Sequence, residues 1–153
     1  MQGRGFGSGN TVTLHYDVDA GDFSSAGEAS ANLKRTLKQL GFPPEVVRRA
    51  TIAMYEGEIN MFIHAGGGVA DVEITPDEIR IKLVDSGPGI PDIALAMQKG
   101  YSTASELARE MGFGAGMGLP NMQSYTDELI VESQVGKGTS ISMLVRVGGS
   151  SAQ

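Results

Sequence analysis

Apolar and polar residues alternate from Thr11 to Val18, with Val12, Leu14, Tyr16 and Val18 on one side. A period of two predicts a half-buried strand. The period then lengthens. Ala26, Ala29, Leu33, Leu37 and Leu40 form a helical stripe, which predicts a helix over Phe23–Leu40 with Gly41 just past its end. A second helix is expected from about Pro44 to His64, with Pro43 and Pro44 tolerated in its first turn and Gly66–Gly68 stopping it. Val69–Ile74 and Ile79–Val84 read as strands joined by the turn "TPDE". "GIPDIALAMQ" predicts a short helix, followed by a long loop. Leu119–Tyr125 reads as helix, and Glu128–Ser133 and Thr139–Val147 read as strands joined by "QVGKG".

The order is therefore β-α-α-β-β-(loop, α)-β-β. Its two hairpins predict an α+β fold: a two-layer sandwich of a mixed, mostly antiparallel sheet with helices on one face. No internal repeat or linker interrupts the pattern. A single domain is expected over 11–147, with flexible tails at 1–10, where Gly3, Gly5, Gly7 and Gly9 alternate, and at 148–153.

Composition narrows the chemistry. Hydrophobic residues make up 41% of 153, enough for a core, yet no apolar stretch has the length to cross a membrane. The opening "MQGRGFGSGN" lacks the apolar run of a signal peptide. With no cysteine the chain has no disulfide, thiolate metal site or cysteine nucleophile, which fits a cytoplasmic location. Two histidines, His15 and His64, argue against a His-rich zinc site. A net charge of −6 argues against nucleic acid as the main partner. It is compatible with a bound nucleotide, which backbone N–H groups and a metal ion can hold.

Four segments carry candidate chemistry. In Glu56-Gly-Glu-Ile-Asn60, Glu56 and Asn60 share a helix face, and His64 continues the row. Taken alone, the pair reads as a solvated face. As a site, Asn60 offers a hard oxygen to Mg²⁺ and Glu56 a proton acceptor. Gly57 costs about 1 kcal/mol against alanine there, which makes sense where backbones pack closely. Asp85-Ser-Gly-Pro-Gly89 reads alone as a turn. As a site, Asp85 accepts the amino proton of adenine, while Gly87 and Gly89 keep the chain low beneath the base. "GFGAGMGLP" runs four glycines into the helix at Leu119, where backbone N–H groups suit phosphate. It matches neither a dinucleotide fingerprint nor a P-loop. "GKGTS" reads alone as a hairpin turn, with Thr139 able to point a hydroxyl into a pocket.

Taken together and in this order, the E-x-x-x-N helix, the D-x-G-x-G turn, the glycine lid edge and the G-T hairpin resemble the GHKL (Bergerat-fold) ATPase superfamily. The resemblance spans about Thr11 to Val147. "DSGPGIPDIALAMQKGYST" and "GAGMGLPNM" look like its branch of anti-sigma-factor and switch serine kinases, which is RsbT-like and related to SpoIIAB and RsbW. That resemblance implies ATP or ADP with Mg²⁺ as cofactors. It implies Glu56 as general base and Asn60 as metal ligand. It further implies nucleotide contacts from Asp85, Gly87, Gly89, Gly114, Gly116, Gly118, Leu119 and Thr139. The partners implied are a STAS-domain antagonist, phosphorylated on serine, and a sigma factor. Whether the chain is a monomer or a homodimer stays open.

Two features depart from the pattern. "ASELAREM" at 104–111 lengthens the lid beyond that expected of the RsbT type, and Glu58 stands beside Glu56 as a competing carboxylate. Two other functions stand against the kinase: a non-catalytic nucleotide-binding module that sequesters a regulator, and a detached histidine-kinase catalytic domain.

Overall fold

The computed structural model describes residues 11–98 and 118–148. The expected tails, Gly114, Gly116 and the 104–111 insertion lie outside the described residues. Five strands form one sheet: β1 (Val12–Asp19), β2 (Gly67–Ile74), β3 (Glu78–Asp85), β4 (Glu128–Gln134) and β5 (Gly138–Arg146). Their order is β1-β2-β3-β5-β4, and all four pairings are antiparallel. The helices are α1 (Glu28–Gln39), α2 (Pro44–His64), α3 (Ile93–Ala96) and α4 (Gly118–Ser124). The α+β sandwich expected from the pattern is the fold observed.

Strand alternation decides which face of the sheet is covered. Val72, Ile74, Ile79, Ile81, Leu83, Ile141, Met143 and Val145 are buried. Their neighbours Glu73, Arg80 and Lys82 point to the open face and are exposed. Helix α2 lies across the covered face through Val46, Val47, Ala50, Ala53, Met54 and Met61, all buried. Gly57 is the point of closest approach: a Cβ there would stand 2.1 Å from Leu83 Cδ1, and Leu83 is itself buried. Close packing of helix on strand is thus the reason for a glycine in mid-helix.

The helix expected over Phe23–Leu40 is divided. A 3-10 turn covers Phe23–Ser25, Gly27 adopts φ 93°, and α1 begins at Glu28. The cause is Glu58. Its side chain, 2% exposed on α2, takes Gly27 N–H (3.0 Å) and Ala29 N–H (3.1 Å) on Oε2 and Ser30 N–H (3.0 Å) on Oε1. The first turn of a helix leaves N–H groups without intrahelical partners, and a carboxylate there also suits the helix dipole. A distant residue of α2 therefore caps α1. At its other end α1 closes as the sequence predicts: Phe42 N–H bonds Leu37 C=O and Gly41 N–H bonds Lys38 C=O.

Asp127, just before β4, ties the far end of α2 to the sheet. Its Oδ2 accepts from Arg49 Nη2 at 2.9 Å and from Arg146 N–H at 2.7 Å. Burial alone would raise the Asp127 carboxyl. The hydrogen bonds from Arg146 and Arg49 outweigh it and hold the group below its ordinary value.

Two stability tests follow. Glu58→Gln removes an acceptor oxygen from three backbone donors and should cost roughly 2–4 kcal/mol in urea unfolding. A wild-type midpoint would show that the cap is dispensable. For Asp127 the folded-state pKa is depressed, so its contribution is complete above the ordinary aspartate value of 3.8 and fades as pH falls through the lower folded value. The stability gap between wild type and Asp127→Asn should be constant above about pH 5 and shrink in stronger acid.

Candidate functional site

The site is built on the side of α2 turned away from Glu58. Successive helical residues are rotated by about 100°, so Glu56 and Glu58 point in nearly opposite directions while Glu56, Asn60 and His64 line up. Helix rotation puts the two carboxylates on different faces, and the packing of α1 decides which of them is the cap. Glu58 is used by the α1 cap, and Glu56 remains available.

Helix α4 is seated over this row. Leu119, Pro120 and Met122 are buried and fix its rotation. Gly118 then faces α2: the position of a Cβ there lies 3.8 Å from Asn60 Oδ1 and 3.9 Å from Glu56 Oε1. Two side-chain oxygens thus converge on one point above the Gly118 backbone. Asn121, one turn further on, donates Nδ2–H to Glu56 Oε2 at 3.1 Å. Sequence reading missed Asn121, because nothing local marks a helical asparagine as the partner of a residue 65 positions away. Leu119 is placed differently from the other implied contacts. Its side chain is core, 5% exposed, so only its backbone is left to face a ligand.

Burial raises the Glu56 carboxyl from its usual value, and the Asn121 amide opposes this without cancelling it. A carboxylate of raised pKa is a better proton acceptor than an exposed one. Burial lowers the His64 imidazole below its ordinary value.

The second half of the site starts where β3 ends. Asp85 Oδ1 accepts Gly87 N–H at 2.9 Å and Thr139 N–H at 3.2 Å. The carboxylate is thus anchored through Oδ1. Gly87 and Gly89 are wedged on opposite sides. A Cβ on Gly87 would lie 2.7 Å from Ala65 Cα, and one on Gly89, at φ +84°, would lie 2.5 Å from the Gln134 carbonyl oxygen. The turn therefore runs in a slot between the end of α2 and the β4–β5 hairpin. Met61 of α2 and Asp85 both pack over the backbone of Gly68, so α2 and the end of β3 meet there.

Thr139 is buried at 8% exposure, and its Oγ1 stands 2.8 Å from Ser133 Oγ. Ser133 Oγ also accepts Ile90 N–H at 2.7 Å. Sequence reading missed Ser133 too, since its role depends on the cross-strand pairing Ser133↔Thr139. Gly136 N–H adds a bond to Pro88 C=O at 2.9 Å. These bonds lash the Asp85 turn to the hairpin.

A separate concavity of about 390 Å³ lies on the open face of the sheet, lined by Asp71, Glu73, Arg80, Lys82 and Ile130 among others. None of the described candidate residues line it: strand alternation sends Asp85 and Thr139 to the covered face, and the others lie on α2, α4 and the turn after β3.

Comparisons with known proteins agree on one family. Residues 41–148 match the model described as histidine kinase-, DNA gyrase B- and HSP90-like ATPase. The chain is 35% identical over 112 residues to the serine/threonine-protein kinase RsbT of Bacillus subtilis (strain 168), covering 71% of this chain and 78% of that protein. It is 38% identical over 106 residues to an anti-sigma F factor of Thermoanaerobacter sp. (strain X514), covering 68% of this chain and 65% of that one. Among solved structures, the RsbU and RsbW domains of Rv1364c from Mycobacterium tuberculosis share the fold, with a TM-score of 0.60 at 17% identity over 89% of this chain and 32% of that one. No described helix is long and apolar enough to cross a membrane.

The slot around the Asp85 turn can be tested directly. Gly89→Ala forces a Cβ into a left-handed residue and against the Gln134 carbonyl, and should lower stability by roughly 1–3 kcal/mol in thermal unfolding. An unchanged transition would mean that the turn and the hairpin separate at no cost.

Proposed function

The chain belongs to the histidine kinase-, DNA gyrase B- and HSP90-like ATPase family, and from that premise we propose that it is an ATP-dependent serine/threonine protein kinase of a bacterial partner-switching pathway. The observation that carries this reading is the convergence of Glu56 Oε1 and Asn60 Oδ1 at Gly118. A proton acceptor and a hard metal ligand there share one small space beneath the start of α4.

The residues present fit an adenine nucleotide and Mg²⁺. Asp85 offers its carboxylate to an exocyclic amine, and the Gly87–Gly89 backbone leaves room beside it. Among the described residues no three His, Cys, Asp or Glu side chains cluster as a metal site. Mg²⁺ commonly takes one or two protein oxygens and finds the rest in phosphate and water, and Asn60 Oδ1 is one such oxygen. We assign Asn60 as that ligand, and the Gly114, Gly116 and Gly118 amides as phosphate contacts. Thr139 acts near the base through its tie to Asp85. When bound, Mg-ATP supplies the phosphoryl group. Glu56 Oε1 orients the incoming serine hydroxyl and accepts its proton. Phosphoryl transfer depends mainly on such positioning and on charge stabilisation.

We assign a STAS-domain antagonist as the protein carrying that serine, and the cytoplasm as the place of reaction. The likeness to an anti-sigma F factor supports a second role, capture of a sigma factor by the nucleotide-bound chain.

Two variants test the assignment. Glu56→Gln should keep the thermal stabilisation given by millimolar Mg-ATP and lose phosphoryl transfer to a purified STAS-domain partner by roughly 100-fold or more. Asp85→Asn should lose the stabilisation itself. Undiminished transfer by Glu56→Gln would sink the base assignment, and a wild-type chain indifferent to both Mg-ATP and Mg-ADP would sink the nucleotide reading.

A further inference from the structure

Resting on the reading of Glu56 as base, we propose that Asn121 is a positioning residue for it, engaging Oε2 so that Oε1 alone faces the space beside Asn60 as proton acceptor. The two oxygens of Glu56 are not equivalent in the structure. Oε2 takes the Asn121 amide at 3.1 Å, and Oε1 is the oxygen nearest the Gly118 side of α4. Gly118 and Asn121 are three residues apart and so share a helix face. The buried Leu119 and Met122 hold that face toward α2. The contact is thus fixed by the packing of α4.

The chemistry of the side chain suits the task. Only the Nδ2 end of the amide can meet a carboxylate, because Oδ1 would set acceptor against acceptor. A hydrogen bond to an ionised acceptor is stronger than a neutral one and restrains the rotation of the carboxyl plane. An amide donor does not ionise near neutral pH, so it orients the base without competing for the substrate proton. A lysine or arginine would bring a full charge and depress the basicity of Glu56. An aliphatic residue would leave Oε2 without this donor in a half-buried place. Because the donor favours the ionised carboxylate, removing it moves the Glu56 titration to higher pH.

The test compares wild type, Asn121→Leu, Asn121→Ser and Glu56→Gln, with water as acceptor so that no partner protein is needed. Phosphate release from Mg-ATP is followed against pH, the Glu56 carboxyl is titrated by carbon NMR without nucleotide, and Mg-ATP stabilisation is measured in parallel. In Asn121→Leu, turnover should fall roughly 10- to 100-fold, the acid limb of the pH profile and the NMR titration should both move to higher pH, and stabilisation by Mg-ATP should persist. Asn121→Ser, which leaves more room, gives the same readouts if the leucine does not fold. Wild-type turnover with an unmoved acid limb in these variants, while Glu56→Gln is inactive, overturns the role of Asn121 and leaves the base in place. Wild-type turnover by Glu56→Gln overturns the base and this inference with it.

Discussion

The side chain of Glu58, buried in the middle of α2, holds the helical layer in register. Three backbone N–H groups at the start of α1 have no partner within their own helix, and this one carboxylate takes them all. The bond set fixes where α1 begins and how it lies on α2. It also fixes the rotation of α2 about its axis. With Glu58 turned toward α1 and Met54 and Met61 turned toward the sheet, the remaining side of the helix carries Glu56 and Asn60. One buried group therefore decides which residues are left for chemistry.

The other half of the site depends on backbone contacts. Gly57 lets α2 sink onto Leu83, Gly87 lets the turn after β3 rest on Ala65, and Gly89 lets it meet the β4–β5 hairpin. Each contact is closer than a Cβ would allow. Asp85 is held in place by the same turn and by Thr139 across the sheet. The result is a carboxylate at the end of β3 and two oxygens on α2, each held in place by contacts between segments far apart in the chain. For a reaction governed by positioning, this rigidity is itself a functional property.

Much of the fold was legible because its periodicities are local. The alternation in β1, β3 and β5, the stripe of α1 and the long span of α2 follow from spacing alone, and the extent Pro44–His64 agrees with the structure. The division of Phe23–Leu40 was not legible, since Gly27 and Glu58 are 31 residues apart. Nor were the roles of Asn121 and Ser133, whose partners are Glu56 and, for Ser133, the backbone of Ile90. The open concavity beside Asp71 and Lys82 shows the converse: a sizeable hollow with no motif in it.

By itself the sequence determined the element order, the two-layer class and the short motifs, because hydrophobic period, turn chemistry and motif spacing are written over a few residues at a time. It also placed Glu56 and Asn60 on one helix face by their four-residue spacing. Only the tertiary structure decided which of two neighbouring carboxylates is a cap and which is free for chemistry. It alone showed that Leu119 is core, and that Asn121 holds one oxygen of Glu56 while the other faces Gly118. Those distinctions arise from hydrogen bonds and burial between segments far apart in the chain, which local spacing does not encode.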